Sequence, residues 1–134
     1  MNTQSDDLTG FMAENLMDFK PIAYFDKHMD CIRVLIQDVS ITEERLSKYF
    51  TVAKPNHGGF GGRHVGFTIK GVAHLFNEAG LHLSGVQTLV TILDEIVKAV
   101  PHSAVKKVVE EFSQVISENQ LTVNFEEPER ALAA

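Results

Sequence analysis

The chain has no tryptophan, one cysteine, and twelve Lys and Arg residues against eighteen Asp and Glu. Each shortage excludes something. With Cys31 as the sole cysteine, no internal disulfide can form, which suits a reducing compartment. The formal net charge of −6 repels phosphate backbones and anionic lipid surfaces, so neither nucleic acid nor a membrane is expected as a partner. No apolar run approaches the roughly 20 residues that span a bilayer. The opening "MNTQSDDLTG" also lacks the basic segment and apolar run of a secretory signal. A cytoplasmic protein is the expectation.

What is present is an ordinary globular balance, 44% hydrophobic and 22% charged over 134 residues, enough for one core without staples. Apolar spacing points to helices. From Pro21 to Val39, Ile22, Phe25, Met29, Ile32, Ile36 and Val39 recur at steps of three and four, opposite Asp26, Asp30, Arg33 and Gln37. The run "CIRVLIQ" taken alone also fits a short strand. Ser40 and Glu43 have the spacing of a capping box for a second helix carrying Leu46, Tyr49, Phe50 and Ala53, which Pro55 ends. A third helix is expected from Phe67 to Ala79, closed by Gly80. A fourth runs from Ser84 to Val100, and a fifth, capped by Ser103, carries Val105, Val108, Val109, Phe112, Val115 and Ile116 on its core face. A weaker N-terminal helix uses Leu8, Phe11, Met12, Leu16 and Phe19.

These elements predict an all-α fold, a compact bundle of five to six helices with a Gly-rich inter-helix loop and an extended C-terminal tail. A single domain over residues 1–134 is expected, with an N-terminal helical arm (1–20), the bundle (21–120) and an extended tail (121–134). The tail's Leu121, Val123 and Phe125 alternate and suit an extended segment docked on the bundle.

Chemistry is concentrated in "NHGGFGGRHVGFTIKG", residues 56–71, which holds six of the nine glycines. Gly58, Gly59, Gly61 and Gly62 could bring backbone N–H groups to an anion, with Arg63 and Lys70 supplying full charges, and His64 beside them, ahead of a helix N-terminus. The spacing approximates a Walker loop, but Phe67 stands where the phosphate-binding lysine belongs. A metal reading gathers His28, Cys31, His57 and His64 as a His₃Cys set of the kind zinc accepts, although no compact ligand signature is present. The stretch "FTIKGVAHLF" resembles the phosphoacceptor helix of histidine phosphotransfer domains at Lys70 and Gly71. Phe67 occupies the histidine position, so the resemblance implies a partner-binding helix without an acceptor.

Six histidines and eighteen acids yield no catalytic constellation. The expected function is therefore a non-enzymatic helical interaction or regulatory domain that binds a protein partner and needs no cofactor. The alternative is a small-ligand domain, for an anion or a metal, with its site under the 56–66 loop. The N-terminal helix and the apolar helix from Ser84 to Val100 offer more apolar surface than a short bundle covers, which suggests a homodimer.

Overall fold

The computed structural model describes residues 19–56 and 64–126. Of these residues 35% are helical and 34% lie in strands, so the all-α bundle is replaced by a two-layer α+β fold. Five antiparallel strands form one sheet: β1 (Ile22–Asp26), β2 (Cys31–Leu35), β3 (Ile41–Ser47), β4 (Phe50–Pro55) and β5 (Gly66–Lys70), in the order β1-β2-β5-β4-β3. Helices α1 (Val72–Ala79), α2 (Leu89–Ala99) and α3 (Ser103–Glu118) pack on one face of the sheet. A two-stranded ribbon, β6 (Val86–Thr88) with β7 (Thr122–Asn124), borders α2 and β1.

The expected helix over residues 21–39 is a hairpin. Ala23 and Phe25 on β1 stand opposite Val34 and Ile32 on β2, a period of two that turns one apolar row toward the helices. Met29, counted in the helical stripe, is 64% exposed in the turn. Asp26 Oδ1 accepts the Met29 N–H at 3.1 Å, and Asp30 takes a left-handed φ of 51° to close the turn.

The second expected helix is a hairpin too. Ser47 Oγ accepts the Tyr49 N–H at 3.3 Å, so Lys48 and Tyr49 make a two-residue turn where a helix would have continued. Glu43 caps nothing; it reaches across the sheet to Arg33 at 3.5 Å. The third helix begins five residues late, because Gly66–Lys70 is a central strand and Gly71, at φ 63°, breaks the chain direction before α1. The stretch resembling a phosphoacceptor helix is therefore strand, turn and helix, and the likeness to one continuous helix fails. In the fourth, Val86–Thr88 is extended and the helix starts only at Leu89. The fifth matches α3, with Val105, Val108, Phe112 and Ile116 buried.

The glycine-rich segment does not join two helices. It connects β4 to β5, neighbours in the sheet; Val65 N–H donates to the Ala53 carbonyl at 2.8 Å just beyond it. Gly66 follows because a Cβ there would lie 2.3 Å from the Val34 carbonyl oxygen of the adjacent strand. The core fills the space between sheet and helices. Phe67 sits at its centre, with its ring 5.6 Å from Phe50 and 5.1 Å from Phe112. Leu121, Val123 and Phe125 are buried, so the start of the expected tail is part of the core. The N-terminal arm over 1–18 and the tail beyond Glu126 lie outside the described residues.

Candidate ligand-binding site

Where β3 turns into β4, the helices stand off from the strands. Phe50 of β4, Leu75 of α1, Ile96 of α2, Val105 of α3 and the intervening Val100 wall a cavity of about 170 Å³. Its rim is Ser47, Lys48 and Tyr49 on the hairpin turn, facing Pro101 and His102 on the α2–α3 turn. An apolar cavity of roughly 150 Å³ is large enough to hold benzene. None of the ten lining residues is acidic, and Lys48 and His102 are the basic residues among them.

Tyr49 is the fixed lip. Its carbonyl accepts the Lys70 N–H at 2.7 Å, its ring stacks on His74 at 5.7 Å, and the Lys48 ammonium sits 5.4 Å from the ring centroid. Gly71 makes room for that ring, since a Cβ at this position would lie 3.1 Å from Tyr49 Cδ1. The Lys70–Gly71 pair thus has a local reason: the strand ends under the tyrosine, and glycine at φ 63° lets the helix begin there without pressing on the ring.

His102 caps α3 in place of the expected Ser103. Its Nδ1 accepts the Val105 N–H at 3.4 Å, and its carbonyl accepts the Lys106 N–H at 2.9 Å. A ring nitrogen that accepts carries no proton, so the neutral imidazole holds its proton on Nε2 as a donor. The N–H groups of Ser103 and Ala104, in the first turn, have no intrahelical acceptor, and the partial positive end of α3 lies at this rim. The cavity therefore has an apolar interior and a rim that favours negative charge.

The residues singled out from sequence are not brought together here. Gly58, Gly59, Gly61, Gly62, Arg63 and His57 lie outside the described residues. His64 and Lys70 bracket β5, some 20 Å apart at strand rise. The His64 N–H and Nδ1 meet the two carboxylate oxygens of Glu111 on α3, at 3.4 and 2.8 Å. The α1 N-terminus that an anion at the loop would need lies beyond Lys70, at the far end of the strand. It already has an anion from the chain itself: the Asp30 carbonyl accepts the Val72 N–H at 3.1 Å, and Asp30 Oδ1 accepts the Ala73 N–H at 3.0 Å.

The metal set is likewise divided. His28 lies in the β1–β2 turn and Cys31 pairs with Lys70, whereas His64 lies at the opposite end of the sheet. Among the described residues, no three His, Cys, Asp or Glu side chains are grouped to hold an ion. Burial pushes the Cys31 thiol above its ordinary value, with Arg33 opposing, and a buried thiol is a poor nucleophile. Also among the described residues, no helix is long and apolar enough to cross a membrane.

Sequence reasoning missed the cavity. Its walls come from β4, α1, α2 and α3, and the only local cue was a lysine and a histidine in the two turns. Comparison with family models, curated proteins and solved structures finds no match to this chain.

Proposed function

We propose that this protein is a non-enzymatic regulatory domain that binds a small monoanionic ligand with a ring-sized apolar body. The observation that carries the reading is the cavity at the β3–β4 turn, apolar inside and edged by Lys48, His102 and the start of α3 with no acid among its lining residues. The ligand's apolar body fills the space between Phe50, Leu75 and Ile96. Its carboxylate accepts from His102 Nε2–H and the Lys48 ammonium at the rim. Two polar contacts orient the ligand, and burial of the ring supplies most of the affinity, as is usual for small-molecule sites.

The test is an amide-resolved NMR titration with benzoate and with benzylamine, which share a ring and differ in charge. Benzoate is expected to bind with a dissociation constant of roughly a millimolar or tighter. It should shift the amides of Lys48, Tyr49, Val100 and Ser103, while benzylamine binds at least about tenfold more weakly. Val100→Phe, which fills the space from the wall, abolishes both. Equal affinity for the two probes, or no shifts at these four amides, rejects the proposal. The second reading, a protein partner, is favoured by the outer side of the α2–α3 hairpin, where the partner is another copy of this chain.

A further inference from the structure

The α2–α3 hairpin turns one side to the sheet and leaves a groove along the other. Val97 and Val109 floor it, and it continues to Val90, which is 40% exposed. Asp94, Val97 and Lys98 on α2, and Lys106, Val109 and Glu110 on α3, recur at steps of three and four, so each helix contributes one stripe. The charges are ordered. Lys98 and Lys106 share the end near the connecting turn; Asp94 and Glu110 lie one turn further along, with the two valines between the pairs. All four charged side chains are exposed.

We propose that this groove is a homodimer interface, with a second copy of the chain docked about a twofold axis that crosses the groove at Val97 and Val109. A twofold axis that lies in the interface and runs across the groove reverses the order of charges. Lys98 and Lys106 of each copy then fall on Asp94 and Glu110 of the other, and the four valines meet at the centre. An unrelated helix would need its own matching pattern; this chain already carries its complement. The net charge of −6 opposes self-association elsewhere on the surface. Within the groove two lysines balance two carboxylates, so that penalty is absent where the copies touch. Lys98 also reaches Glu95 at 3.5 Å, an exposed pair whose exchange for an intermolecular one costs little.

The experiment is sedimentation equilibrium of the full chain. Wild type is expected to be dimeric at roughly 100 µM. Asp94→Lys with Glu110→Lys makes the groove wholly positive, and Lys98→Glu with Lys106→Glu makes it wholly negative. Each double variant should dimerise about thirtyfold more weakly or worse, because four favourable pairs become four repulsive ones. An equimolar mixture of the two should recover a heterodimer of wild-type affinity. Circular dichroism establishes that each variant is folded. A measurement needing no substitution accompanies it: raising salt must weaken the wild-type dimer. A wild-type monomer at that concentration, an unchanged dimer in either folded variant, a mixture no tighter than its components, or a salt-insensitive dimer each overturns the proposal.

Discussion

Asp30 offers the sharpest test of the fold. It sits in the β1–β2 turn, yet its carbonyl and carboxylate accept the Val72 and Ala73 N–H groups of α1, a helix that begins 42 residues later with no side-chain cap of its own. It also holds a left-handed φ of 51°. Asp30→Ala removes the carboxylate cap, worth about 1 kcal/mol, and puts a residue poorly suited to that φ in the turn, worth about another 1 kcal/mol. A loss of about 2 kcal/mol is therefore expected, or some 6–8 °C in Tm for a chain of this length. Asp30→Asn keeps an acceptor and tolerates the same φ, so it should lie within about 0.5 kcal/mol of wild type. Asp30→Gly loses the cap but gains backbone freedom, and falls between the two. Urea denaturation gives all three values. Alanine as stable as asparagine, or glycine worse than alanine, would refute the reasoning that joins the turn to the helix.

Gly71→Ala should destabilise by about 2 kcal/mol in the same assay, since it combines a left-handed φ with a 3.1 Å approach to Tyr49. It should also weaken benzoate binding, because the displaced ring is the lip of the cavity. Glu111→Gln loosens the His64 clamp. The His64 amide should exchange faster while Ile69, deep in β5, keeps its protection, and global stability should change by less than about 1 kcal/mol. Cys31 should resist iodoacetamide in the folded protein and react once urea unfolds it. Its thiol is raised in the native state, so the stability it contributes is complete below the ordinary thiol value and is lost as pH rises through the raised one. Cys31→Ser should flatten that alkaline decline; an unchanged decline would assign it elsewhere, Tyr24 being the other group that burial raises.

The two halves of the chain were unequally legible. In α3 the apolar positions Val105, Val108, Phe112 and Ile116 repeat at helical steps with no competing period, and the expected helix is present. In β1 and β2, two short runs of period two are separated by a turn, and joined end to end they imitate steps of three and four. Phe25, Met29 and Ile32 are the case in point: the first and third pack with the core, and the middle one is exposed on the turn. Strand β4 misled in another way. Phe50, Thr51, Val52 and Ala53 are all buried because β4 lies inside the sheet, so alternation, the usual mark of a strand, is absent. The cue that remained was composition. "CIRVL", "FTVA" and "GFTI" are rich in β-branched and aromatic residues, which suit a pleated surface better than a helix.

The site was illegible for a different reason. A histidine in the α2–α3 turn reads as a loop residue until its Nδ1 is seen to cap α3, and Tyr49 reads as core until the lip it forms is seen. The cavity lies where two turns face each other, and Val100 and Val105 on its wall are short side chains that leave space between them. A dry void costs about 24 cal/mol per Å³, so 170 Å³ left empty would forgo some 4 kcal/mol. The mouth here is open to solvent, so only part of that is recoverable, about 1 kcal/mol. Val100→Phe should therefore raise Tm by about 3–4 °C while it abolishes benzoate binding. A space shaped only by imperfect packing gives the first effect without the second, because it binds no benzoate to lose. If the variant is more stable and wild type never binds the probe, the cavity is a packing defect and the ligand proposal fails.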